Sequence, residues 1–396
     1  MTLPNNDILT SIVSRIFRVD EVTLGDPKRG YFLRYRGELL IDSQVAYDQL
    51  ADSLRPYQIT PLFRIEDGRQ TVILMRELPT PKPGRAWVNI LMFALTVVGV
   101  LFAGAWYSYT GPVPNDYWGQ IWALITHIWV GWPFAVSLLA ILLAHEFGHY
   151  FVGRARGAAV SLPYFIPLPP PFSPLGTMGA FIQLKELPKN KRALFDLGIA
   201  GPLAGLVVAV PVLLYGLAHS SLTTIQAAPL GFQEGNSLLY LLAKYVVFGK
   251  LLPAPANLTG LPLLLHWVTF FFVGRPLPVG AADVLINPVA WAGWAGLLVT
   301  FLNLIPAGQL DGGHVLYAVF GERVRKVWPF ILGAMVLLGL FWAGWWLWAA
   351  LIFFFGRVHA EPLDAITPLD PRRKMIAVLM LVVFLLVFMP IPFITF

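Results

Sequence analysis

Residues 86–108 run for 23 positions without one charged side chain. A helix of that length rises about 34 Å, enough to cross the roughly 30 Å hydrocarbon layer of a bilayer. The stretches 133–155 and 193–218 are comparably long and apolar. A chain with such segments must satisfy its backbone hydrogen bonds within lipid, which makes helices the frame of the fold. Composition agrees, since 57% of the 396 residues are hydrophobic and only 13% charged, against about 25% charged in ordinary soluble domains. These figures exclude a soluble enzyme, a disordered tail and a fibrous repeat.

Further segments extend the frame. A fourth span is predicted over about 284–305 and a last one over 375–389. WGQIWALITHIWVGW (118–132) is shorter and rich in Trp, the pattern of an interfacial or re-entrant helix. Apolar stretches around 238–248 and 261–273 read as short spans or membrane-surface helices. The stretch 327–355 would rise about 43 Å, too long for one crossing. Arg323, Arg325 and Lys326 precede it and Arg357, Arg372, Arg373 and Lys374 follow it, so a helical hairpin turning near Ala343-Gly344 is expected.

The first 83 residues differ from the rest and hold 11 of the 22 acidic residues. YFLRY (31–35) alternates with period two, and LFRI (62–65) and TVILM (71–75) flank Asp67-Gly68, a hairpin signal. Val45, Leu50 and Leu54 are predicted to share one face of an intervening helix. The expected fold is therefore a polytopic all-α membrane protein of about 6–8 transmembrane or re-entrant helices with a re-entrant β-hairpin and a small N-terminal α+β soluble domain. Its domains are 1–83, which would dock an unknown partner or regulate access, and 84–396, joined by the Pro-rich PTPKPGR (79–85), with a catalytic core at about 133–315.

The net charge of +6 points to no nucleic acid, because the basic residues sit mainly in short connectors. None lies in 109–117, whereas 153–192 holds Arg154, Arg156, Lys185, Lys189, Lys191 and Arg192. That bias puts the N-terminal domain and the 153–192 connector on the cytoplasmic side, with a bacterial cytoplasmic membrane as the expected location. MTLPNNDILTSIVSRIF has no positive region followed by an apolar one, so no cleavable signal peptide is expected. Cysteine is absent, so zinc would have to be held by His and carboxylate.

His145-Glu146-Phe147-Gly148-His149 places H-E-x-x-H inside the 133–155 span. On a helix the two imidazoles lie one turn apart on the same face and can converge on one zinc ion while Glu146 projects beside the metal-bound water. Random placement of 7 His and 9 Glu would give this pattern with a probability of roughly 0.003. An acid at the bilayer centre costs on the order of 2.5–3.5 kcal/mol, which a divalent cation would offset. Catalytic zinc usually has three protein ligands. The third candidate is Asp311, in the loop from Asn303 through Pro306 to Asp311-Gly312-Gly313, where Pro306 should end the preceding helix and the glycines let the backbone turn.

H-E-x-x-H in one helix and N-x-x-P-x-x-x-x-D-G in a later one together resemble the site-2 protease family of intramembrane zinc metalloproteases. The resemblance implies one Zn2+ held by His145, His149 and Asp311, with Glu146 as general base. The Gly/Pro-bearing helix of that family is matched by Gly198-Ile-Ala-Gly201-Pro202-Leu-Ala-Gly205, a spacing that also allows close helix packing. No segment suits a PDZ domain, and the 176–205 stretch is similar to the PDZ-less branch of photosynthetic bacteria and plastids. Single-span or multi-span membrane proteins in the lipid bilayer are the implied substrates. Asn303 is the candidate oxyanion donor and His314 a lesser one. Pro163, Pro167, Pro169, Pro170, Pro171 and Pro174 exclude a helix before the strand-like GTMGAFIQL (176–184), so a re-entrant hairpin is expected whose edge pairs with an extended substrate. The rival readings are an inactive metal-binding scaffold or chaperone and a zinc transporter, which would call for more carboxylates along a path than Glu146, Asp196 and Asp283.

Overall fold

The computed structural model describes residues 5–26, 30–76, 84–225, 232–255, 257–276, 279–356 and 361–395. The N-terminal part is a four-stranded antiparallel sheet, ordered β1-β2-β4-β3, with two helices. In chain order these are α1 (Asn6–Val13), β1 (Phe17–Asp26), β2 (Tyr31–Leu39), α2 (Ser43–Leu54), β3 (Ile59–Glu66) and β4 (Arg69–Arg76). Asp67 and Gly68 join β3 to β4, both at positive φ, as a tight two-residue hairpin requires. The Asp42 carboxylate caps α2 by accepting from the Gln44 and Val45 amides. Ala46, Tyr47, Leu50 and Leu54 face the core with Leu33, Tyr35, Phe63, Val72 and Leu74. Val45 does not join them: one residue of helix is a 100° rotation, which leaves it exposed beside buried Ala46.

Three helices among the described residues are long and apolar enough to cross a membrane. They are α3 (Ala86–Ser108), α5 (Trp132–Ala155, preceded by the turn Ile128–Gly131) and α6 (Lys191–Ala218). Between the first two, α4 (Tyr117–Thr126) buries no residue and exposes Trp118 and Trp122. The Pro-rich 79–85 linker falls mostly on 77–83, outside the described residues, as does Arg357.

The connector between α5 and α6 forms β5 (Tyr164–Pro167) and β6 (Thr177–Phe181), an antiparallel pair. It lies along α3 for most of that helix's length. The Asn89 amide donates to Leu162 O and Pro163 O near one end of α3, and Tyr107 OH donates to Pro174 O near the other. Eighteen residues of helix are about 27 Å, so this non-helical hairpin follows α3 over that distance.

After α6 come β7 (Ser221–Thr224), β8 (Phe232–Glu234), α7 (Leu238–Phe248), α8 (Gly260–Val273) and β9 (Ala282–Leu285). Pairing is β7 with β9, and β8 with the late β10 (Phe393–Thr395). The predicted 284–305 span is shorter than expected: α9 is Pro288–Asn303, because β9 takes the first residues and the Asn287 side chain caps the helix through the Ala290 amide. α10 (Asp311–Phe320) follows. Then α11 (Val324–Leu338) and α12 (Gly344–Phe355) form the expected broken pair, and α13 (Pro371–Val387) is the last helix.

Segment 361–370 joins the two parts. Leu363 O accepts from the Phe63 amide of β3 while Asp364 N donates to Lys189 O, so this segment bridges the sheet edge and the start of α6. Asp364 is fully buried and accepts from Ser43 Oγ. Lys189 pairs with Asp48, and the Arg192 guanidinium donates to Gln44. The N-terminal domain and the basic 153–192 connector therefore lie at the same end of the molecule.

Candidate metal centre

On α5, His145 and His149 point the same way, with Nε2 atoms 3.2 Å apart and rings in an edge-to-face arrangement. Asp311, the first residue of α10, brings Oδ2 to 3.3 Å from each Nε2. The site is closed to solvent: His145 and Glu146 are 3% exposed and His149 5%. All the predicted ligands thus meet although two helices far apart in the chain supply them.

Local sequence explains the convergence. α9 stops at Asn303, before Pro306, and the chain turns through Gly308, which has positive φ. A Cβ on Gly312 would fall 2.0 Å from Leu304 O, so only glycine lets the turn fold back tightly enough to deliver Asp311. α6 forms the floor. A Cβ on Gly201 would lie 2.0 Å from His149 Nε2, and one on Gly205 would lie 3.3 Å from His145 Nδ1. The close packing read from the Gly/Pro helix is packing against the two imidazoles.

His149 Nδ1 lies 2.8 Å from the carbonyl oxygen of Leu197. A carbonyl only accepts, so Nδ1 carries the proton and the Nε2 lone pair faces His145 and Asp311. Two ring nitrogens and a carboxylate oxygen crowded in a dry site repel one another unless a proton on a ring nitrogen or a metal ion lies between them. Tetrahedral zinc with bonds of about 2.0–2.1 Å sets its ligand atoms about 3.3 Å apart, close to the separations seen here. The residues present fit a zinc ion.

Two neighbours complete the site. Glu146 Oε2 is buried and has no hydrogen-bond partner. Asn303 Nδ2, at the end of α9, is 3.3 Å from His145 Nε2, so the candidate oxyanion donor stands at the edge of the ligand set. His314 is buried against Gly198 of α6. Sequence reasoning missed the Leu197 carbonyl, which no side-chain motif announces.

The model of peptidase family M50 matches residues 133–341. The chain belongs to peptidase family M50. It is 31% identical over 343 residues to the probable zinc metalloprotease EGY1, chloroplastic, of Oryza sativa subsp. japonica, which covers 81% of this chain and 53% of that protein. It is 30% identical over 263 residues to EGY1 of Arabidopsis thaliana, covering 65% of this chain and 43% of the relative, and 31% identical over 269 residues to EGY2 of the same plant, covering 66% and 42%. The chain spans about half the length, or less, of the curated relatives it matches. These relatives are chloroplastic, so they lend no support to the expected bacterial cytoplasmic membrane. With its apolar helices, this M50 chain is a membrane protein.

Proposed function

We propose that this M50 chain is an intramembrane zinc metalloprotease that hydrolyses peptide bonds within or near transmembrane segments of single-span or multi-span membrane proteins. The observation that carries this reading is the buried triangle of His145 Nε2, His149 Nε2 and Asp311 Oδ2, with edges of 3.2–3.3 Å, on the same helix as an unpartnered Glu146.

In this reading His145, His149 and Asp311 hold one zinc ion. When bound, it supplies a Lewis acid that polarises a carbonyl and brings the pKa of water toward about 7. Glu146 accepts the proton of the attacking water and passes it to the leaving amine. Its Oε2, buried without a hydrogen-bond partner, is left for that work. Asn303 donates to the oxygen that gains negative charge at the scissile carbon. The Leu197 carbonyl holds His149 in the ligating tautomer.

The same residues support a placement in the bilayer. His149 lies seven residues from Arg156, about 10 Å along α5, so the reaction takes place inside the leaflet next to the basic connector and the N-terminal domain, on the cytoplasmic side. The chain divides at about residue 83 into that domain and the membrane domain. The three long helices, the pairs α7–α8 and α11–α12 counted as one re-entrant element each, α9 and α13 together give seven, within the expected 6–8 transmembrane or re-entrant elements. Among the described residues β6 pairs with β5 alone; its other edge is offered to an extended substrate strand. A helical substrate must unwind before its peptide bond is reachable, so segments with Gly, Pro, Asn or Ser near the scissile bond are cut faster than a Leu-only host.

The test is cleavage of single-span substrates in detergent by wild type and Glu146→Gln, with zinc measured in both. Retained zinc with cleavage reduced by on the order of 10²–10⁴ supports the assigned role. Unchanged cleavage removes Glu146 from the mechanism.

A further inference from the structure

The acceptor of His149 Nδ1 sits beside a charge cluster that the chemistry does not use. Leu197 O follows Asp196 by one residue on α6. Asp196 receives the Arg373 guanidinium in a two-pronged hold, Nε to Oδ1 at 2.8 Å and Nη2 to Oδ2 at 2.7 Å. Arg156 Nη2 reaches the same Oδ2 at 2.5 Å. Arg373 is itself fixed on the N-terminus of α13, where its backbone amide donates to Asp370 Oδ1 at 3.0 Å and its guanidinium pairs with Asp370 Oδ2.

Three helices therefore meet on one carboxylate. Arg156 directly follows the last residue of α5, seven residues beyond His149, α6 contributes Asp196, and α13 contributes Arg373. Asp196 and Arg373 are mostly covered, with side chains 13% and 19% exposed, whereas Arg156 is 48% exposed. A planar guanidinium matched to a carboxylate over two bonds fixes geometry as well as charge. Here the fixed quantity is the position of the α6 backbone at Leu197 relative to α5.

Resting on the metal reading of the site, we propose that Asp196, clamped by Arg373 and Arg156, is a positioning residue that sets zinc affinity by holding the Leu197 carbonyl against His149 Nδ1. Without the clamp, α6 is free to shift at Leu197 and the imidazole loses the acceptor that aims its Nε2. Loss of an outer partner of a ligating His typically costs 10–100-fold in metal affinity.

The experiment measures zinc affinity of the full chain in detergent by competition with a chromophoric chelator, together with the visible absorption of the cobalt-loaded protein. Asp196→Asn and Arg373→Gln are expected to weaken zinc by about 10–100-fold and to alter the cobalt band. Arg373→Lys, which keeps the charge but not the two-pronged hold, should lose less than Arg373→Gln, and the exposed Arg156→Gln least. The thermal midpoint of each metal-free variant is recorded as the control. A midpoint lowered with zinc affinity unchanged would make the cluster merely structural and overturn the proposal. If Asp196→Asn fails to fold, Arg373→Lys and Arg156→Gln carry the same test. Zinc affinity that follows the clamp in a protein that cuts no peptide would sink the protease reading and leave this one standing; cleavage with unmoved affinity would do the reverse.

Discussion

Among the described residues, the His145 and Lys244 clusters of buried ionisable side chains are built on opposite principles. In one, His145, His149 and Asp311 aim three electron-rich atoms at a common centre, and no Lys or Arg among the described residues pairs with them. In the other, Lys244 of α7 is 1% exposed and supplies the cation itself: its Nζ is 3.3 Å from Asp283 Oδ1 and 4.6 Å from the centre of the Tyr240 ring. Gln233 donates to Asp283 Oδ2, and Tyr240 OH donates to Glu234 Oε1. The Lys244 cluster carries its own counter-ion and fastens α7, β8 and β9 together. The His/Asp cluster lacks one, and that deficit marks it as the place for a metal.

The comparison breaks most sharply at the ligands. His145→Ala or Asp311→Ala should abolish bound zinc and cleavage together, as metal analysis and a cleavage assay would show, while Lys244→Met should leave the zinc content of the purified protein at one per chain. Zinc lost equally from the Lys244 variant would mean that the two clusters are not independent.

Stability should respond in the opposite order. Lys244→Met leaves Asp283 charged and buried without its partner, which costs on the order of 3–5 kcal/mol; a large fall in the thermal midpoint is expected with bound zinc retained. The chelator-treated wild type should fall less than that variant: it loses the ion's binding free energy to the folded chain, but every ion pair stays in place. The opposite ranking would show that the metal, not the ion pair, is the main structural tie.

The smallest effect concerns Glu234 on β8. Burial, and then the nearby Asp283 carboxylate, push it up to about 7. A carboxyl with a raised folded pKa holds its proton more tightly when folded, so stability is highest at low pH and declines as pH rises from the ordinary range near 4.5 through about 7. Glu234→Gln should flatten that decline in thermal midpoints taken between pH 5 and 8. An unchanged slope would assign the decline elsewhere.

What the sequence disclosed tracks the range of the interactions involved. H-E-x-x-H is legible because a helix alone sets the spacing of His145 and His149, and Asp311 is legible because Pro306 and Gly312 mark a turn that nothing else requires. The Asp67-Gly68 hairpin is legible for the same local reason. Val45 was misplaced because Ser43 to Leu54 carries a weak stripe in which a 100° difference decides between core and solvent. The shortened α9 depended on β7 pairing with β9 across about 60 residues, a long-range contact that periodicity does not encode. The Asp196 clamp and the Leu197 carbonyl were invisible because they join three helices through a backbone atom and a salt bridge. Lys244 left a trace, as the single charge in an otherwise apolar helix, but its partner Asp283 lies 39 residues on.

X-ray absorption at the zinc edge of the purified chain of 396 residues tests the central claim most directly. The account predicts one zinc with only nitrogen and oxygen neighbours at about 2.0–2.2 Å, two of them imidazoles, and a spectrum that loses one imidazole contribution, or the zinc altogether, in His149→Ala. A zinc environment identical in wild type, His149→Ala and Asp311→Ala would contradict it.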